Sequence, residues 1–189
     1  MILKTPTSSD WVQKVLENFD SFLIDHAHAE KKASGMAMSM VSHYPDKPDI
    51  VKAMVDLALE EMIHFKQVMK ILANKQLTLI PDEKDIYVNN LRKLFRKGTE
   101  FYLMDRLIIG GIIEARGAER FQLIANALSP GKLKQFYLQI AASEEKHYEL
   151  FFELAKKYFS NDAIAQRTEF LLAEEAQIVD KLPLRALLH

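Results

Sequence analysis

Leu59-Glu60-Glu61-Met62-Ile63-His64-Phe65 is the stretch on which the reading of this chain turns. Glu61 and His64 stand three residues apart, which on an α-helix puts both side chains on one face, one turn apart. A carboxylate and an imidazole held that way can bind the same metal ion. One such pair means little, because a chain with this many Glu and six His yields about half a Glu-x-x-His match by chance. A second copy, Glu144-Glu145-Lys146-His147, changes the odds.

Working outward from the first pair, Pro45-Asp46-Lys47-Pro48 breaks the chain, and Pro48 suits the first position of a helix running to about Asn74. The inward stripe of that helix reads Met54, Leu57, Glu61, His64, Val68, Ile71. Two polar residues in an apolar face conflict with core patterning, and such conflicts mark function. Before it, Ser8-Ser9-Asp10 caps a short first helix, and a long helix is expected from Asp20 to Tyr44 with Leu23, His26, Glu30, Ala33 and Ala37 inward. After it come a connection over residues 75–84 and a shorter helix over 85–97 closed by Gly98. A third long helix is predicted over 100–128, with Leu103, Leu107, Gly110 or Gly111, Glu114, Gly117 or Ala118 and Phe121 inward. The fourth is expected from Ser129-Pro130 to Phe159, with Tyr137, Ile140, Glu144, His147 and Phe151 inward, and a final helix ends near Pro183. No strand-like alternation holds. Helices of roughly 24 to 30 residues span about 36–45 Å and pack naturally as an antiparallel bundle.

Composition agrees with a single domain over residues 1–189. Apolar content is 49%, charged content 27% and net charge −1, so only a local patch could favour nucleic acid. The chain has no Cys, which excludes disulfides, CxxC zinc sites, iron–sulfur ligation and a rubredoxin-type module. No signal peptide and no membrane span are expected, and the location is read as cytoplasmic.

The four inward glutamates are evenly arranged. Glu30 to Glu61 is 31 positions and Glu114 to Glu144 is 30; Glu30 to Glu114 is 84 and Glu61 to Glu144 is 83. The chain thus holds two halves of the form Glu … Glu-x-x-His, with the carboxylates expected near mid-height of the bundle and facing one another. Four buried carboxylates are costly without cations, and two divalent ions relieve that cost. Two glutamates can bridge the ions while each Glu-x-x-His pair completes one. This is the ligand pattern of ferritin-like di-iron and di-manganese proteins, and the mixed oxygen and imidazole donors suit iron or manganese over zinc. The fold class is therefore all-α, a ferritin-like four-helix bundle with additional flanking helices. Glu60 and Glu145 fall off the stripe. His26 is read as a core histidine beside the site, and His28, His43 and His189 as surface histidines.

Asp25-His26-x-x-x-Glu30-Lys31-Lys32-Ala33, Glu60-Glu61-x-x-His64-Phe65-x-x-Val68, Ile113-Glu114-Ala115-Arg116-x-x-Glu119-Arg120-Phe121 and Ser143-Glu144-x-x-His147-Tyr148 together resemble the tRNA hydroxylases of the MiaE type. The resemblance covers all four long helices. It implies Glu30, Glu61, His64, Glu114, Glu144 and His147 as ligands of two iron ions (manganese being the alternative), with no catalytic residue beyond them. It also implies a monooxygenase reaction, the dioxygen-dependent hydroxylation of the isopentenyl group on 2-methylthio-isopentenyladenosine beside the tRNA anticodon. An external electron donor, a redox partner protein, is then required. Gly117 departs from the family pattern, where Ser is expected, and bears on the pocket rather than the ligands. Ferritin-like iron handling and peroxide consumption by a di-metal protein are the alternative functions, and a monomer or small oligomer is expected. For tRNA, Lys84, Arg92, Lys93, Arg96 and Lys97 against Asp85 form a basic stripe with Tyr87 and Phe95 interleaved, which can meet phosphates or be the wet face of a packed helix.

Overall fold

The computed structural model describes residues 3–189. The described residues form seven helices, α1 (Ser9–Glu17), α2 (Phe19–His43), α3 (Pro48–Asn74), α4 (Ile86–Arg92), α5 (Thr99–Ala127), α6 (Lys132–Tyr158) and α7 (Asn161–Lys181), and hold no strand. The described part divides into two compact units. One comprises residues 13–83 with 185–188, the other residues 84–184 with the segment up to Val12 and with His189.

The first unit is a hairpin of α2 and α3. Pro48 opens α3 as the punctuation requires, since proline lacks an N–H that the first turn would leave unused. Leu23, Ala27, Ala37 and Met40 of α2 are buried, as are Ile50, Met54, Leu57, Val68 and Leu72 of α3. The Ser34 hydroxyl donates to the Ala58 carbonyl at 2.9 Å, so small residues bring the two backbones close and fix the register. The loop after α3 is held on α2 by the buried His28, whose Nε2 lies 2.8 Å from the Ile80 carbonyl, and by Lys32 donating to Asp82 at 2.9 Å. His28 is thus no surface residue, contrary to expectation. The segment 185–188 returns to this unit, where the Leu188 N–H donates to Asp25 Oδ2 at 2.7 Å.

The second unit is built on α5 and α6, with α7 packed against α4, α5 and α6. Gly98 turns the chain into α5 with φ 96°, a conformation that only glycine adopts without strain. α5 is buried on nearly every side between Leu103 and Ile112, as expected of a helix with a weak apolar stripe. It also buries Asp105, Arg116, Glu119 and Arg120. Arg116 donates through Nε (3.0 Å) and Nη2 (2.7 Å) to Glu175 on α7, and through Nη1 to Glu119 at 2.5 Å. Tyr87 of α4 donates to the same Glu175 oxygen at 3.0 Å, and the Thr7 backbone and hydroxyl donate to Glu119 at 2.9 and 2.7 Å. These opposite charges offset one another's burial, with Arg116 and Tyr87 meeting on one oxygen of Glu175.

α4 ends at Arg92, five residues before the expected end, because residues 93–98 turn to deliver Arg96 to Asp105. Tyr87, expected in the basic stripe, is buried under His189, whose ring stacks on it at 4.9 Å.

Candidate metal centre

The first unit brings Glu30 of α2 together with Glu61 and His64 of α3. Periodicity selects these positions: Glu61 and His64 share one face of α3, and the α2–α3 hairpin turns Glu30 toward that face. His64 Nδ1 lies 3.2 Å from Glu61 Oε2 and 3.7 Å from Glu30 Oε2, and all three residues are buried. Each offers a ligand atom within 4.8 Å of those of the other two. The second unit repeats the arrangement with Glu114 of α5 and Glu144 and His147 of α6. His147 Nδ1 lies 3.4 Å from Glu144 Oε2 and 4.0 Å from Glu114 Oε2, the three again buried and within the same 4.8 Å reach.

The electrostatics of the first cluster favour positive charge. Burial pulls the His64 imidazole down, but hydrogen bonds and charge from Glu30 and Glu61 outweigh it and push the group up to about 10. A field that favours a proton there favours positive charge in general, which is the electrostatic condition a cation site requires. His26 behaves oppositely. Burial first, then the neighbouring His64 charge, lower it to about 3 despite the pull of Glu61, so its ring is neutral. Its Nε2–H donates to Glu30 Oε1 at 2.5 Å, orienting that carboxylate from behind, as partners of metal-binding carboxylates do.

Two carboxylates and one imidazole in each cluster are a donor set suited to iron or manganese, and three protein ligands leave coordination positions open for exchangeable ones. The clusters are compatible with a two-metal protein. Glu60 is 49% exposed at its side chain and Glu145 is exposed, so neither belongs to the buried set, as expected from their positions off the stripe.

Of the stripe residues, Lys84, Arg92, Lys93 and Lys97 are exposed. Arg96 is not available in the same way: it donates to Asp105 through its backbone N–H (2.8 Å) and guanidinium (2.7 Å) and lies over the Phe101 ring at 4.8 Å. Arg167 of α7 donates to the same carboxylate at 2.8 Å. The partnership of Asp105, Arg96 and Arg167 has no sequence signal, since Arg167 lies 62 residues away. No helix among the described residues is long and apolar enough to cross a membrane.

Among curated proteins, the chain is 33% identical over 177 residues to the tRNA 2-(methylsulfanyl)-N(6)-isopentenyladenosine(37) hydroxylase of Pseudomonas putida, covering 94% of this chain and 86% of that protein. It is 30% identical over 155 residues to the enzyme of the same name from Salmonella typhimurium, covering 82% of this chain and 56% of that longer protein. Among solved structures, a Synechococcus protein described as having aldehyde deformylating oxygenase activity superposes with a TM-score of 0.94 at 32% identity, over 100% of this chain and 96% of that one. That likeness bears out the all-α, ferritin-like architecture. The family described as tRNA-(MS2IO6A)-hydroxylase (MiaE) matches residues 1–189, and the chain belongs to it.

Proposed function

We propose that this protein is an iron-dependent monooxygenase that hydroxylates the isopentenyl group of 2-methylthio-N6-isopentenyladenosine beside the anticodon of tRNA. The observation that carries the reading is the duplicated buried cluster of two glutamates and one histidine, found in a chain that matches a tRNA hydroxylase family along its whole length. Glu30, Glu61 and His64 would hold one ion and Glu114, Glu144 and His147 the other. Bound iron would supply dioxygen chemistry, in which one oxygen atom enters a C–H bond and the other leaves as water, using two electrons and two protons from an external donor. The protein's own part is positional. Buried apolar walls exclude water, His26 fixes Glu30, and the paired glutamates balance the charge of the ions. Exposed Arg92, Lys93 and Lys97 support a phosphate-contacting surface, with Lys84 at its edge. tRNA as substrate fits a cytoplasmic location.

The test is nucleoside analysis of tRNA from cells with and without the protein. The hydroxylated prenyl-adenosine is expected to vanish on deletion and to return with the wild-type chain but not with Glu61→Ala or His147→Ala. An unchanged nucleoside profile would remove the tRNA reading. The Synechococcus likeness favours a second reading, oxygen-dependent chemistry on an aldehyde. Aldehyde consumption by the iron-loaded, reduced protein, with no action on tRNA, would select it.

A further inference from the structure

Two phenylalanines of the second unit stand in water. Phe101, in the first turn of α5, is 54% exposed, and Phe170 of α7 is 47% exposed. Single exposed apolar residues are common, and what sets these two apart is how each ring is backed. The Arg96 guanidinium lies over the Phe101 ring, 4.8 Å from its centre, and the Arg167 guanidinium lies over Phe170 at the same 4.8 Å. Both distances are those of a cation–π contact, in which a flat cation covers one face of the ring.

The two arginines are themselves fixed. Arg96 donates to Asp105 through Nε at 3.0 Å and Nη2 at 2.7 Å, and Arg167 does so through Nε at 2.8 Å and Nη2 at 2.9 Å. Arg167 Nη2 also donates to the Leu94 carbonyl at 2.8 Å. Two guanidinium forks on one buried carboxylate place both rings on one patch of surface and hold them there before any partner arrives. Asp105 engages the charge of these arginines, so their part is support. Attraction comes from their neighbours: residues 92–101 hold four basic groups against one acidic, Glu100, and Arg92, Lys93 and Lys97 are exposed. Beside Phe170, the acidic Glu169 is paired with Lys4.

Flat apolar faces among basic side chains fit a polyanion that offers flat apolar faces of its own. Single-stranded nucleic acid is such a partner, since its unpaired bases stack on aromatic side chains while lysine and arginine meet its phosphates. A paired stem keeps its bases stacked on one another and offers these rings nothing to stack on. We propose that Phe101 and Phe170 are stacking platforms for unpaired loop bases of the RNA that Arg92, Lys93 and Lys97 attract. The inference rests on the tRNA-hydroxylase reading and deepens it, because a nucleotide beside the anticodon lies in an unpaired loop.

The experiment measures Kd by fluorescence anisotropy, using iron-loaded, full-length protein and two RNA probes of equal length and charge, an anticodon stem–loop hairpin and a blunt duplex. The variants are Phe101→Ala, Phe170→Ala and the conservative Phe101→Tyr, with Leu184→Ala as the control for losing an exposed apolar side chain. Each alanine variant should bind the hairpin about tenfold more weakly and the duplex as wild type does. The slope of log K against log salt should not change, because stacking releases no counterions. Phe101→Tyr and the control should bind as wild type. Unchanged hairpin affinity in either alanine variant, or an equal loss on both probes, overturns the proposal while the function stands. Alanine variants that keep hairpin affinity but no longer hydroxylate tRNA in cells would assign the rings to a protein partner, which also overturns it. If an alanine variant does not fold, Phe101→Leu and Phe170→Leu, which keep apolar bulk and lose the ring, decide in its place. A wild-type protein that neither binds the hairpin nor hydroxylates isopentenyl-bearing tRNA overturns the functional reading and this inference with it.

Discussion

His26 and Glu30 are one helical turn apart on α2, and their contact is the kind that spacing alone suggests and only tertiary structure interprets. Position i, i+4 places the ring beside the carboxylate; complete burial makes that ring a neutral donor. Replacing His26 with Ala should leave Glu30 without its orienting N–H and weaken metal retention by about 10–100-fold, read as iron left after dialysis against a chelator. His26→Gln, which can donate the same bond, should recover part of the loss. If the alanine variant holds iron as tightly as wild type, His26 is packing alone. Glu61, His64, Glu144 and His147 were legible as candidates because their spacing is local and falls on apolar faces. The burial of His28 was not, because its partner is a carbonyl 52 residues away.

At the scale of the element, α5 shows how much a helix can hide behind an unremarkable pattern. Its inward glycines and Glu114 are readable from the 3.6-residue period, while its buried charges are not. Asp105 is fully buried, and burial by itself would raise its carboxyl. Hydrogen bonds from Arg96 and Arg167 outweigh that and hold it below the ordinary aspartate value. A depressed folded-state value means that the ionised group contributes stability above the unfolded-state pKa, and that this contribution is lost as pH falls through the folded one. Asp105→Asn should therefore destabilise the protein by about 3 kcal/mol at pH 7. The gap between variant and wild type in urea melts should shrink as pH falls below the ordinary aspartate range, and a pH-independent gap would rule out the ion pair as the cause. On the same helix, Gly110→Ala should lower stability by about 1–3 kcal/mol, because the Phe151 ring it meets is buried and cannot swing away. Gly111→Ala should cost less, since the Phe152 ring it meets is only half-buried. Thermal melts of the two variants check the order.

At the scale of the whole molecule, the duplicated pattern has a structural counterpart: each compact unit contains one complete set of two glutamates and a histidine. A net charge of −1 gives no general attraction to tRNA, so binding must come from a local surface. Converting Arg92, Lys93 and Lys97 together to Ala should weaken tRNA binding and reduce the slope of log K against log salt by about 0.7–0.9 per lost phosphate contact. Iron content and melting temperature should not change. An unaltered slope would place the tRNA surface elsewhere.

The amino-acid sequence by itself determined the long helices and the six candidate ligands. Both follow from local rules, the helical period and the punctuation of Pro48 and Gly98, which need no knowledge of distant residues. The tertiary structure alone decided which charges are buried in pairs, as in Arg116 with Glu175 and Asp105 with Arg167, and that Gly110 is required by packing while Gly117 is not. Those outcomes depend on which side chains meet across many intervening residues. A linear pattern records the face on which a residue stands, but not the partner that arrives there.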